Sequence, residues 1–256
     1  LEESQNFDRM KTLKRVLLGL LVVAAILTVG FVLWASSAAQ PTDAALQALK
    51  SDKRVSVRQE EGFIAFSPPA ETPAAGFIFY PGGRVDYRAY APVLRMIAER
   101  GYFVALAKVN LNLAFFEVNA ADDVILAHPE IARWAVGGHS LGGVAAAGYA
   151  SAHPQAVDGV VFWGSYPADD SLKGLGIPVL SVYGSNDGLS TLDKVEESRA
   201  LLPPDAIFVL IEGGNHAQFG AYGFQSGDDP AAISPEAQWT QVSEVTATFL
   251  GALSER

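Results

Sequence analysis

Near its start the chain carries a block of apolar residues that no charge interrupts. Residues 16–35 read VLLGLLVVAAILTVGFVLWA, broken only by Gly19, Thr28 and Gly30. At about 1.5 Å rise per residue, such a helix is about 30 Å long, the depth of a bilayer's hydrocarbon core. No polar stripe marks any of its faces, which argues against a helix buried in a soluble core. Two readings stay open. One is an uncleaved membrane anchor, favoured because the apolar stretch of a signal peptide usually spans about 7–15 residues. The other is a signal peptide cleaved near Ser37-Ala38-Ala39. Residues 36–54 are rich in Ser, Ala and Gln and read as a linker, with a short helix at 43–50.

From residue 55 to 256 the pattern changes. Short apolar runs bounded by turn residues alternate with stretches of helical periodicity. Strands are predicted at 55–59, 63–67, 76–80, 102–109, 134–137, 157–163, 179–184 and 207–212, the first two as a hairpin about Glu60-Glu61-Gly62. Tyr90, Val93, Leu94, Ile97 and Ala98 share one helical face, and Gly101 supplies the stop. Further helices are predicted at 120–128, 141–153, 190–202 and 235–250. The last sets Trp239, Val242, Thr246 and Phe249 on one side. This alternation predicts one α/β domain, a doubly wound, mostly parallel sheet with helices on both faces.

Charge orients the apolar block. Arg9, Lys11, Lys14 and Arg15 precede it, while Lys50 alone follows within fifteen residues. The positive-inside rule then puts residues 1–15 in the cytoplasm, the span at 16–35 with Trp34 as an interfacial anchor, and the rest of the chain outside. The whole chain carries a formal net charge of −10. An acidic domain lacks the basic footprint that nucleic-acid binding requires. It contains no cysteine, which removes disulfides, thiolate metal sites and a cysteine nucleophile together. Gly82-Gly83 is not followed by the Gly-Lys-Ser/Thr of a phosphate-binding loop, and no metal-ligand spacing stands out. Neither cofactor nor metal is expected.

The informative stretch is Gly138-His139-Ser140-Leu141-Gly142, set between a predicted strand and a predicted helix. A nucleophilic serine must stand clear of the sheet on a strained strand-to-helix turn, and glycines two before and two after it let strand and helix approach. On these residues the chain resembles the α/β-hydrolase superfamily over about residues 55–252, in its branch of compact serine hydrolases with little or no cap. The resemblance implies an acid after a later strand and a histidine after the next. Asp187, in Gly184-Ser185-Asn186-Asp187-Gly188, and His216, in Glu212-Gly213-Gly214-Asn215-His216, fill those positions. It also implies an oxyanion hole made by the backbone N–H of Leu141 and by one from Pro81-Gly82-Gly83-Arg84. Gly83 is the choice there and Arg84 the alternative.

Other candidates are weaker. Asp193 falls inside a predicted helix, and Asp169 and Asp170 form the fallback acid. His139 is read as packing beside the nucleophile, and His128 and His153, each just before or near a helix end, as capping or surface residues. Arg84 either contacts a substrate carboxylate or pairs with Asp86. Phe219 and Tyr222, in a long polar-aromatic tract similar to those of membrane-anchored bacterial hydrolases, either line an acyl or alcohol pocket or fasten their loop. Asn110, Asn112, Phe115 and Phe116 are placed between the same two roles. Only about fifteen residues separate the strands ending near 163 and starting at 179, too few for a large lid, and a site with little cover favours hydrolysis. The expected activity is a serine hydrolase taking a small-molecule ester or acyl substrate and tethered to the membrane by its first helix. The alternative is a membrane-tethered binding protein that keeps the fold without the chemistry.

Overall fold

The apolar block forms part of a single long helix, α1 (Glu2–Ser36). Its segment Leu13–Ser36 is long and apolar enough to cross a membrane. The computed structural model describes residues 2–69 and 73–255, with the side chains of residues 2–9 and 12 left out. The side chain of Arg9, one of the four cations used above for orientation, therefore lies outside the described residues. The chain divides into two units, Leu1–Ser37 and Ala38–Arg256.

The second unit is built on an eight-stranded sheet, β1 (Ser56–Gln59), β2 (Phe63–Ser67), β3 (Gly76–Tyr80), β4 (Phe103–Ala107), β5 (Trp134–His139), β6 (Gly159–Trp163), β7 (Val179–Gly184) and β8 (Ile207–Ile211). Their spatial order is β1-β2-β4-β3-β5-β6-β7-β8. The first three neighbours pair antiparallel, and every pairing from β4 to β8 is parallel. The helices are α2 (Asp43–Ala48), α3 (Ala91–Ala98), α4 (Ala120–Ala127), α5 (Leu141–Ala152), α6 (Leu192–Ser198) and α7 (Pro235–Ser254). Residues 164–178, between β6 and β7, carry no helix.

Alternation along β3 shows why the sheet must be covered twice. Phe77 and Phe79 join Leu94 of α3 and Phe249 of α7 in one core, while Ile78 and Tyr80 join Val124 of α4 and Tyr149 of α5 in the other. A strand apolar on both faces can lie only between two layers.

Residues 38–54 differ from the expected linker, because the folded unit begins at Ala38. Ala39 bridges Val85, donating its N–H to Arg84 O at 2.8 Å and accepting from Asp86 N at 2.9 Å. Ala45 of α2 is fully buried, and the buried guanidinium of Arg95 in α3 donates to the carbonyls of Ala48 and Lys50. Backbone hydrogen bonds, the buried Ala45 and an Asp52–Arg95 ion pair at 2.6 Å hold this segment, and none of them leaves an apolar pattern to read.

Candidate active site

Gly83, Ser140, Asp187 and His216 each lie just beyond the carboxyl end of a parallel strand, where doubly wound sheets open their crevice. β5 ends at His139 and α5 starts at Leu141, so Ser140 must make the whole turn with φ 50° and ψ −121°. Such a backbone conformation costs about 1–3 kcal/mol for a residue with a Cβ. A Cβ on Gly142 would run into the carbonyl oxygens of Tyr80 and Pro81, which explains why α5 can sit so close under the turn only with glycine there. Ser140 is partly exposed, and its backbone is pinned by Ser140 N–H to Trp163 O (3.1 Å) and by Ser165 Oγ to Ser140 O (2.6 Å).

The acid and base are brought together. His216 Nδ1 donates to Asp187 Oδ2 at 2.8 Å, with both residues buried. Asp187 Oδ1 accepts from the N–H groups of Leu189 and Ser190, at 2.9 and 2.6 Å. Those donors fix the carboxylate, and the carboxylate fixes the imidazole as the Nδ1–H tautomer, so Nε2 carries the lone pair. Nε2 is shielded from solvent and has no hydrogen-bond partner among the described residues. No hydrogen bond between Ser140 Oγ and His216 Nε2 is formed. The two residues are linked instead through His139, whose ring lies 4.3 Å from that of His216.

Asp228 holds the base loop against the acid loop, a role no local sequence signal announces. Its carboxylate accepts from His216 N (3.2 Å), Ala217 N (2.8 Å) and Gly188 N (3.1 Å). From α7, Gln238 grips the same loop by accepting from Asn215 N and donating to Asn215 O.

His139 packs as expected, stacking on Phe219. Burial, with the neighbouring His216 second, pushes its pKa well below 6.5, so the ring is neutral. Its Nδ1 lies 2.8 Å from Tyr90 Oη, which itself accepts from Gly82 N at 3.0 Å. In the loop after β3, Gly82 N–H is thus engaged and Arg84 N–H donates to Asn112 O at 2.8 Å. The N–H groups of Gly83 and Leu141 have no partner among the described residues. A Cβ on Gly83 would stand 2.9 Å from the Leu141 side chain, so the two residues approach closely. Arg84, Leu111, Asn112 and Ser140 are the non-glycine residues with positive φ among those described. They fall in the loops after three adjacent strands, β3, β4 and β5, so backbone strain gathers at this end of the sheet.

Several candidates lie elsewhere. Asp193 is exposed on α6, Asp170 is exposed, and Asp169 is exposed and accepts from Ser171 N. His128 closes α4 beside Glu130, and His153 closes α5 by donating to Tyr149 O at 3.1 Å. Of the two readings of Phe219 and Tyr222, the fastening role fits. Phe219 is fully buried against His139 and Trp163, and Tyr222 is buried with its hydroxyl on Gln225 Oε1. Asp86 is occupied by the Arg88 guanidinium at 2.6 Å, and Arg84 stays partly exposed beside the loop's donors. Asn110 bonds Glu117, while Phe115 and Phe116 are about half exposed. Among the described residues no group of three or more His, Asp or Glu converges on a metal-sized site.

A model of the alpha/beta hydrolase family matches residues 76–240. No curated protein sequence matches the chain. Among solved structures, TT1662 from Thermus thermophilus superposes with a TM-score of 0.59 at 16% identity, over 79% of this chain and 99% of that one. The esterase domain of a Rhodothermus marinus protein gives 0.58 at 16%, over 77% and 97%. Dienelactone hydrolase from Anabaena variabilis gives 0.56 at 19%, over 73% and 88%. At these identities the likeness is one of fold.

Proposed function

Since the chain belongs to the α/β-hydrolase family, we propose that it is a serine hydrolase cleaving carboxylic esters or related acyl bonds through Ser140, His216 and Asp187. The observation that carries this reading is the buried 2.8 Å Asp187–His216 pair, its Nε2 unpaired, beside a serine held at φ 50° on a strand-to-helix turn. Esterase and dienelactone hydrolase structures among the neighbours support the same substrate chemistry.

As Ser140 Oγ attacks the acyl carbon, His216 Nε2 takes its proton, and the imidazolium is stabilised by the Asp187 carboxylate. The tetrahedral oxyanion sits between the N–H groups of Leu141 and Gly83. Each such donor is worth about 2.7–4 kcal/mol in comparable sites. His216 then protonates the leaving oxygen, the C–O bond breaks, and an acyl-Ser140 intermediate remains. Water attacks that ester with the same proton path, releasing the acid and restoring Ser140. The oxyanion needs only backbone donors, and a carboxylate near the acyl group is the feature the partly exposed Arg84 would read.

In this reading α1 anchors the enzyme, with the basic N-terminal stretch cytoplasmic and the catalytic unit on the far side. A signal peptide would deliver the same unit without the anchor. Hydrolysis of p-nitrophenyl butyrate by the purified chain, abolished in a folded Ser140→Ala variant, tests the activity. Equal turnover by the two proteins would refute it.

A further inference from the structure

The outward side of α5 carries no charge. The residues of this helix that are not buried are Leu141, Val144, Gly148, Ser151 and Ala152, which fall on one helical face. A surface helix ordinarily turns charged and polar groups outward, and here a single hydroxyl does so. Residues 164–178, which run alongside, carry no helix to cover this face. A Cβ on Gly148 would meet nothing within 4 Å.

The open space is a groove of about 370 Å³, lined by Val144 and Gly148 of α5, Phe115 and Val118 of the loop after β4, and Pro167 and Ala168 of the segment after β6. Its size suits a small-molecule site, about 300–1,000 Å³. Phe115 and its neighbour Phe116 are 51% and 53% exposed. Asp169 is the one charged residue in the lining, and it is exposed to water. Each lining element departs from the catalytic end. α5 begins directly after Ser140, Leu113 lies beside Gly83 two residues before Phe115, and Ser165 holds the Ser140 carbonyl two residues before Pro167.

The groove also lies away from the base. Ala217 and Phe219, which follow His216, pack in the core with α3 and α7, whereas Ala145 of the groove belongs to the core with α4. A leaving oxygen must face His216 Nε2 to take its proton, so the half of an ester that turns toward α5 is the acyl half. We propose that this groove receives a linear apolar acyl chain, which makes the substrate class esters of medium- or long-chain fatty acids. The proposal rests on the hydrolytic reading above. The chain runs from the carbonyl at Ser140 along Val144 toward Gly148, about 12 Å down the helix at about 1.5 Å per residue, flanked by Phe115 and Pro167.

The test compares kcat/KM of the full chain and of Gly148→Trp on p-nitrophenyl acetate, butyrate, octanoate and decanoate in one detergent. Each buried methylene contributes about fourfold, so the wild-type protein should gain at least about tenfold from butyrate to octanoate. A Trp at position 148 enters the open groove and leans toward the start of α5 over Val144, which should bring the octanoate-to-butyrate ratio down to about one. Both proteins meet the same micelles, so partitioning of substrate cancels between the two ratios. If Gly148→Trp fails to fold, Phe115→Asp, at a half-exposed position, should lower the same ratio by about tenfold. Folded wild-type protein that turns over no ester would refute the hydrolytic reading and the proposal with it. Turnover of butyrate with no gain for octanoate, or a gain that Gly148→Trp keeps in full, would overturn the groove and leave the hydrolase standing.

Discussion

Tyr90 Oη lies 2.8 Å from His139 Nδ1 while accepting the Gly82 N–H, so one hydroxyl joins the loop after β3 to the residue beside Ser140. The hydroxyl thus gives the Gly82 N–H its acceptor and shares one hydrogen bond with His139 Nδ1. Tyr90→Phe would leave Gly82 N–H and His139 Nδ1 buried and unpaired. The expected cost is about 1–3 kcal/mol in a urea titration, with slower ester turnover as Gly83 loses its support. Unchanged stability and rate would show that the pair positions nothing.

The neutral state of His139 gives a pH dependence. Its folded pKa lies well below 6.5 through burial, whereas the unfolded side chain takes a proton near 6.5. Below that pH the unfolded chain binds more protons than the folded one, so stability falls as pH drops from about 7, by up to about 1.4 kcal/mol per unit. His139→Gln removes this contribution. Thermal melts of the two proteins between pH 7 and 5 should therefore diverge in slope, the variant being flatter, and parallel curves would contradict the assignment.

Asp187→Asn keeps an acceptor for the N–H groups of Leu189 and Ser190 but presents the wrong partner to His216 Nδ1. In comparable triads such a change lowers kcat by about ten-thousand-fold while the fold persists. A loss below tenfold, measured on p-nitrophenyl butyrate, would remove Asp187 from the mechanism.

Strain at the elbow separates function from stability. Ser140→Gly releases a φ of 50°, worth about 1–3 kcal/mol, against about 0.4–1 kcal/mol of added chain entropy in the unfolded state. The expected net gain is about 1 kcal/mol, or about 2–4 °C in Tm, together with loss of activity. Ser140→Ala loses activity equally but keeps the backbone strain and gains nothing. Identical Tm values for the two variants would contradict the strain.

Much of this arrangement was legible from residues alone. β2, β3 and β7 match the apolar runs at 63–67, 76–80 and 179–184 residue for residue, and a proline bounds each run at one end. Ser140 is marked by its strand–turn–helix setting, and the resemblance to the α/β-hydrolase superfamily points to Asp187 and His216. Less visible was whatever depends on distant backbone. β5 runs two residues past Gly137 because His139 pairs with Trp163, a partner that sequence periodicity cannot name. Asp228 reaches His216 N–H from twelve residues downstream. Residues 38–54 dock largely through backbone groups that every amino acid carries.

That docking has a measurable consequence. A chain starting at residue 38 should melt like the full protein's folded unit. One starting at residue 55 strips the Arg95 guanidinium of its Ala48 and Lys50 acceptors, at about 1.5–3 kcal/mol for each such bond. Its Tm should fall by on the order of 10 °C. Equal melting of the two truncated chains would return the segment to the status of a linker.

The central claim is that Ser140 is an activated nucleophile, and covalent labelling tests it most directly. Folded full-length protein treated with a fluorophosphonate and digested for mass spectrometry should carry one phosphonyl group per chain, on Ser140, and none in Ser140→Ala. Folded protein that takes up no label, or takes it up on another residue, would contradict the account.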